Sequence, residues 1–301
     1  MTDRRDFLKL SGVLAAGAMS GIGLRDMAEA AEPISRKGAP EIKVGCCAYS
    51  YRQYLKGDKP AMTLMDFLET AAEIGCDGVE LTSYYFPPDV GIDYINRLKR
   101  RAFLLGLDVC GTAVGNRFTF PPGPERDAQI ALVKKWTDHA AEMGAPCMRI
   151  FAGRAPEGIA EEEAVRWVIE CIEGCTDLAA QRGVVLALEN HGGVTSTAEQ
   201  VLSIVQAVKS DWVGINLDTG NFRTEDPYAD IVKVAPHAVT THFKIGVQPA
   251  GGETQEADIN RIVGILRDVG YRGYLTLEYE AAEDAKTGVP RAISALREAV
   301  R

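Results

Sequence analysis

The feature that most constrains the fold is a repeated alternation of short apolar runs with longer segments of helical period. The runs are IKVGCCAY (42–49), DGVELT (77–82), LDVCGTAV (107–114), CMRIFA (147–152), VVLALEN (184–190), WVGINLD (212–218), AVTTHFK (238–244) and GYLTLEY (273–279). Eight helical candidates follow them. One opens after Pro60 and stops at Gly75; others end at Gly106, span Glu125–Gly144 behind Pro124, and cover 161–183 with acidic residues at the front, where the helix dipole favours them. The remainder cover Thr195–Lys209, Tyr228–Val234, Ala257–Gly270 and Pro290–Val300. Strict strand–helix alternation implies parallel strands joined by right-handed crossovers. VVLAL is apolar at every position, as a strand buried on both faces requires. Eight such units in about 260 residues match a closed (β/α)₈ TIM barrel. An open doubly wound sheet would often carry GxGxxG after its first strand, and that motif is absent there. One barrel domain is therefore expected over 42–301, after a short linker at 31–41, with no second domain boundary.

The residues ahead of the linker have another pattern. Arg4-Arg5, Phe7-Leu8-Lys9, a weakly apolar Gly/Ala run and Ala28-Glu29-Ala30 follow in order. This resembles a twin-arginine signal peptide with a small-x-small cleavage site, although Asp3 stands where Ser or Thr is usual. Residues 1–30 are expected to be a leader, and the protein to be periplasmic or otherwise exported by that route. No Cys follows the apolar run closely, so no lipid anchor is expected, and no later stretch has transmembrane length. The seven cysteines are odd in number and form no CxxC pair, so core packing is the expectation for them. A net charge of −9 without a basic stripe argues against a nucleic-acid partner.

In such a barrel, chemistry sits at the C-terminal ends of the strands. Runs five to eight end in Glu189, Asp218, His242 and Glu278, four polar groups on consecutive strands and hence on one arc of the mouth. Three neighbouring carboxylates repel and raise one another's pKa, a conflict that a divalent cation removes. Oxygen ligands with one imidazole suit Mn²⁺ or Mg²⁺, with Co²⁺ and Zn²⁺ also compatible. The lack of cysteine in the set argues against a structural zinc site.

These motifs carry a resemblance. LALENHGG, GINLDTGNF, THFK, GYRGYLTLEYE and GAPCMRIFAGR resemble the xylose-isomerase-like barrel superfamily, in its sugar phosphate isomerase/epimerase branch, from about residue 42 to the end. The resemblance implies one Mn²⁺ or Mg²⁺ on Glu189, Asp218, His242 and Glu278. It further implies that Glu189 and Glu278 exchange a substrate proton beside a ketose carbonyl, through an enediolate. Two positions depart from the ketose 3-epimerase pattern: Asn221 replaces a substrate-binding His, and Gln248 replaces an Arg. The resemblance also implies a small sugar or keto-sugar substrate and often a homo-oligomer. Export favours free sugars or glycosides over phosphorylated ones. A 3-keto-glycoside epimerase or lyase is therefore the alternative, and a non-catalytic carbohydrate-binding barrel a further one. The nuclease branch needs many more histidines than the four present.

Other rim residues complete the candidate site. Glu80 ends run two and either faces the pocket or pairs with a rim cation. Arg149, inside run four, is expected to meet Glu80, Glu189 or a substrate oxygen, because a cation pointing into a barrel is costly alone. His191 follows the first ligand and is read as contacting substrate or bracing the loop. Lys244 alternates with His242 and so shares its face. Asn221 is placed at the substrate end. Tyr49, Tyr51, Phe118 and Phe151 are candidates for a flat apolar pocket wall. Glu280 lies one layer further out and is not counted as a ligand; His139 and His237 are read as structural.

Overall fold

Strands that are apolar on both faces can satisfy themselves only inside a layer of helices, and that is how the chain is arranged. The computed structural model describes residues 32–301; the expected leader at 1–30 lies outside them. In chain order the elements are β1 (Glu41–Cys47), α1 (Arg52–Leu55), α2 (Leu64–Glu73), β2 (Gly78–Thr82), α3 (Ile92–Leu104), β3 (Asp108–Ala113), α4 (Pro124–Met143), β4 (Cys147–Ile150) and α5 (Glu161–Arg182). They continue with β5 (Val185–Glu189), α6 (Ala198–Ala207), β6 (Val213–Asp218), α7 (Pro227–Val234), β7 (Ala238–Phe243), β8 (Gly246–Val247), β9 (Gln255–Glu256), α8 (Ile259–Asp268), β10 (Arg272–Leu277) and α9 (Ala285–Ala299). β1 through β7 and β10 close into one barrel, each parallel to its neighbours, with β10 pairing both β7 and β1. The expected (β/α)₈ TIM barrel is what forms.

Local sequence sets the helix ends. Thr63 and Thr197 cap α2 and α6 in reciprocal capping boxes with Asp66 and Gln200. α5 starts behind three glutamates and stops at Gly183, whose φ of +68° suits a residue without Cβ. The helices turn their apolar faces onto the barrel, as in α2, where Leu64, Phe67, Leu68 and Ala71 are all buried. Each fully buried Leu or Phe contributes about 1.5–3 kcal/mol. All seven cysteines are buried and free, in keeping with core packing. Among the described residues, no helix is long and apolar enough to cross a membrane.

Three features depart from expectation. The last helix starts at Ala285 rather than Pro290, because Asp284 caps it by accepting from Lys286 N at 2.8 Å. Pro290 then sits in the second turn, where one backbone hydrogen bond is given up. A two-stranded antiparallel ribbon, β8 with β9, is inserted between β7 and α8 at the mouth. A 3₁₀ turn, Ala48–Tyr51, leads from β1 into α1 and swings Tyr51 away from the mouth. Tyr51 is fully buried against Phe67, and Phe118 is likewise fully buried, so neither lines the pocket.

Candidate active site

Parallel register explains why distant residues meet. Asp218 pairs with His242 across β6 and β7, Glu189 pairs with Asn216 across β5 and β6, and Glu278 follows the last residue of β10. The alternation of side chains turns all of them into the barrel. Glu189, Asp218, His242 and Glu278 each offer a ligand atom, and these atoms lie within 4.8 Å of one another; all four residues are buried. His242 Nε2 is 2.8 Å from Glu80 Oε2, which assigns its proton to that side. Nδ1 then faces Glu189 Oε2 at 3.6 Å and Glu278 Oε2 at 3.5 Å.

This cluster fits a divalent cation. Asp218 Oδ2 is buried with no hydrogen-bond partner, although Lys244 Nζ lies 3.5 Å away. An oxygen so placed costs free energy unless a cation or proton meets it. Burial, reinforced by the Glu189 and Glu278 charges and opposed by Lys244, pushes Asp218 up to about 8. Burial would lower His242, but the Glu80 and Glu278 carboxylates outweigh it and hold the imidazole well above its usual range. Burial would raise Glu278, yet Lys244 and His242 hold it well below the usual carboxylate range. Asp218 therefore holds a proton at neutral pH, and His242, which keeps one proton on Nε2 toward Glu80, is favoured to carry a second on Nδ1. A divalent cation among these four side chains would replace the Asp218 proton and the His242 Nδ1 proton and leave the buried charge unchanged. No cysteine belongs to this set of oxygen and imidazole donors, which matches the hard or borderline cations expected.

Below the cluster, Arg149 is 3% exposed and places Nε 3.2 Å from Glu189 Oε2. Its Nη1 donates to the Val114 carbonyl at 3.1 Å, and its guanidinium lies 3.8 Å from the Phe151 ring centroid. Of the partners expected for Arg149, Glu189 is the direct one. Glu80 has turned to His242, so it braces the imidazole from behind. A carboxylate on the far ring nitrogen fixes the tautomer and makes the near nitrogen a better ligand.

Three neighbours were not foreseen as site residues. Asn216 Nδ2 lies 3.1 Å from both Glu189 Oε2 and His242 Nδ1. Its place two residues before Asp218 in INLD puts it on the inward face, so alternation alone could have found it. Asn190 joins β5 to β6: its Nδ2 donates to the Asp218 carbonyl at 2.9 Å, and its Oδ1 accepts from Asp218 N at 2.8 Å. Cys47 pairs with Glu80 in register and forms a second group of candidate ligands with Glu80 and His242. Burial, then the Glu80 charge, pushes its thiol well up, which keeps it protonated.

The rim residues divide. Lys244 shares the face of His242, with Nζ 2.7 Å from Glu278 Oε2 and a second ion pair to Glu280. Asn221 Nδ2 donates to Glu189 Oε1 at 3.0 Å. Gln248 accepts from the Arg223 guanidinium, so the β6 loop brings a guanidinium beside the position where the resemblance expects an Arg. His191 packs on Phe151 with ring centroids 4.3 Å apart and stays exposed toward the mouth. Its loop is pinned by close contact: a Cβ on Gly193, at φ +56°, would meet the Gly153 oxygen at 2.2 Å. Tyr49 is half-buried beside Arg52 and Tyr84. His139 packs on Trp136 in α4, away from the mouth. A cavity of about 830 Å³ opens outward from Asn221 and Lys244, walled by the β8–β9 ribbon and by α9.

Comparison with known proteins gives a consistent result. The chain is 26% identical over 180 residues to 2-oxo-tetronate isomerase of Haemophilus influenzae, covering 56% of this chain and 68% of that one. A D-psicose 3-epimerase from Clostridium cellulolyticum H10, solved with D-tagatose, superposes with a TM-score of 0.70 at 17% identity, over 86% of this chain and 100% of the other. The apo form of a 3-keto-D-glucoside 4-epimerase from E. coli gives a TM-score of 0.68 at 16% identity, over 86% and 100%. At those identities the solved structures establish the shared fold. The model of the xylose isomerase-like TIM barrel matches residues 68–299, from α2 to the end of α9, and so takes in all four clustered side chains. The chain belongs to the xylose isomerase-like TIM barrel family.

Proposed function

We propose that this protein is an exported, divalent-metal-dependent isomerase or epimerase that moves a proton on the carbon next to a carbonyl of a small sugar or sugar derivative. The observation that carries the reading is the buried quartet Glu189, Asp218, His242 and Glu278, with ligand atoms within 4.8 Å of one another at the barrel mouth. A cation held there, Mn²⁺ or Mg²⁺ by the donor chemistry, supplies Lewis acidity to the substrate carbonyl oxygen. Glu189 and Glu278 then act as the proton-transferring pair. Arg149 and Asn216 hold Glu189 in place. Lys244 keeps Glu278 ionised and ready to accept a proton. Glu80 orients His242 rather than touching substrate. The 2-oxo-tetronate isomerase relative supports this class of reaction, because an isomerisation between a 2-oxo group and its neighbour needs the same proton step.

A second reading has one specific observation in its favour. The cavity of about 830 Å³ beside Lys244 is larger than a single hexose needs, which suits a 3-keto-glycoside with its aglycone toward the ribbon. The test is proton exchange in D₂O with Mn²⁺ present, followed by NMR on simple ketoses and on 3-keto-glucosides. Exchange in the wild type, lost in both Glu189→Gln and Glu278→Gln with the fold intact, is the expected result. Full exchange in either variant refutes the reading, and exchange confined to the 3-keto-glucosides selects the second one.

A further inference from the structure

A second cavity, of about 490 Å³, adjoins the carboxylate cluster on the side of the β5 and β6 loops. Its wall contains Arg154, His191, Asn221 and Arg223, together with the hydroxyl-bearing Ser196 and Thr197. No Asp or Glu lines it, although the chain as a whole has a net charge of −9. The two guanidiniums are not spent on ion pairs. Arg223 donates to the neutral Gln248. Arg154 enters the hydrogen-bond network through its carbonyl, which accepts from Arg117 Nη2 at 3.3 Å. Among the described residues, neither guanidinium has a carboxylate within salt-bridge distance. Asn221 joins the two regions: it lines this cleft while its Nδ2 lies 3.0 Å from Glu189 Oε1. At the helix end behind the cleft, Asp230 and Thr197 already accept the Ala198 and Gln200 amides.

We infer that Arg154 and Arg223 form an anion subsite that takes a carboxylate or phosphate group of the substrate, so that the preferred substrate is an acidic keto-sugar rather than a neutral one. The inference rests on the proposed proton-transfer site and deepens it by naming the substrate class. A planar guanidinium fork matches a carboxylate or phosphate in two-point contact, and two guanidiniums lining one cleft without a carboxylate partner leave their charge open to an anionic ligand. The His191 imidazole and the Thr197 hydroxyl line the same cleft as further polar contacts, while the Ser196 hydroxyl donates to the Gly193 carbonyl at 2.7 Å. The three clustered carboxylates repel an anion, so the acidic end of the substrate lies toward the arginines and its carbonyl end toward Glu189 and Glu278.

The experiment compares three small probes on the full Mn²⁺-loaded protein: hydroxypyruvate, its neutral counterpart dihydroxyacetone, and dihydroxyacetone phosphate. Calorimetry gives the Kd of each, and NMR in D₂O gives hydrogen exchange. The expected result is a wild-type preference of about tenfold or more for an anionic probe over dihydroxyacetone, falling toward unity in Arg154→Gln/Arg223→Gln. Preference for hydroxypyruvate identifies a carboxylate, and preference for the phosphate ester identifies a phosphoester. An anion-to-neutral ratio of Kd values that the double substitution leaves unchanged overturns the inference. Both arginines are exposed, so the variant keeps the core, and an unchanged thermal midpoint confirms that. Calorimetry needs no turnover, so the two readings fail separately. Arginine-dependent anion binding without exchange refutes proton transfer, whereas exchange without arginine dependence refutes the subsite.

Discussion

Replacing Arg149 with Met should destabilise the metal-free protein strongly and the metal-loaded protein much less. Arg149 and Glu189 are buried, with side-chain exposures of 3% and 2%, and their charged atoms lie 3.2 Å apart. Met fills much of the same volume but leaves Glu189 as an uncompensated buried charge beside Glu278. Removing one partner of such a pair costs about 3–5 kcal/mol. At about 2 °C per kcal/mol for a chain of this size, the midpoint should drop by roughly 6–10 °C. A divalent cation between Glu189 and Glu278 supplies the missing positive charge, and the loss of Arg149 also removes a cation that repels it. Saturating Mn²⁺ should therefore raise the midpoint of the variant more than that of the wild type and narrow the gap between them. Adding Glu189→Gln to the Met variant should recover part of the loss, because the stranded charge is then gone. Calorimetric melts of the three proteins, with EDTA and with Mn²⁺, provide the measurement. A drop below about 2 °C, or a gap of equal size with and without metal, would refute the claim that Arg149 and the cation balance the same carboxylate.

Metal uptake should depend steeply on pH. Asp218 is raised to about 8 and His242 lies well above its usual value, so near pH 7 each cation displaces about two protons. Affinity then rises with pH, less steeply once Asp218 has ionised and levelling only when His242 has also lost its extra proton; titrations in buffers of different ionisation enthalpy count the protons, and a release near zero contradicts the arrangement. Glu278→Gln should lower proton exchange by about 10²–10⁴-fold with the thermal midpoint nearly kept, measured by NMR in D₂O. Gly193→Ala should push the His191 loop off Gly153, because its Cβ meets a backbone oxygen at 2.2 Å. A cost of about 2 kcal/mol or more is expected in denaturant melts, and a neutral result would mean that the loop yields freely.

The strands and the quartet were legible because both rest on short-range rules. Apolar runs separated by helical segments specify parallel strands, and the period of two tells which residue at a strand end faces in. Asn216 obeyed the same rule and was missed only because an amide neighbouring two ligands carries no charge signal of its own. The partners of the ligands were harder to see. Glu80 meets His242 across 162 residues, a contact that exists only once the barrel closes and β1, β2 and β7 surround one interior. Cys47 stands beside them through the β1–β2 register, which two adjacent cysteines in an apolar run do not reveal. Tyr51 and Phe118 read as pocket aromatics by position, but the turn after β1 and the packing of the β3 loop drove both into the core, where a ring buries more apolar area. Pro290 misled for a similar reason. Proline favours a first helical turn, yet Asp284 offered a better cap six residues before it, and docking of the helix tolerates one lost hydrogen bond.

The site is layered in charge, and the layers constrain the direction in which a substrate enters. Arg149 lies deepest and is sealed, Glu189, Asp218 and Glu278 come next, and Lys244 sits over two of them. A carbonyl oxygen has no proton to donate, so it can settle in the carboxylate layer only where a cation or a protonated side chain meets it, whereas a hydroxyl can donate to a carboxylate. Above this layer the wall splits: the β5–β6 side is lined by arginine without carboxylate, and the β8–β9 side is wide and mixed. A substrate whose acidic end docks on Arg154 and Arg223, as inferred above, turns its uncharged end toward the wider cavity. In the proposed reaction that orientation would set the carbon next to the carbonyl between Glu189 and Glu278, whichever uncharged group fills the wider cavity. The proposed proton transfer would then be decoupled from the size of that group. If so, enlarging the group should alter affinity through the ribbon side and leave the fraction of solvent hydrogen exchanged per turnover constant.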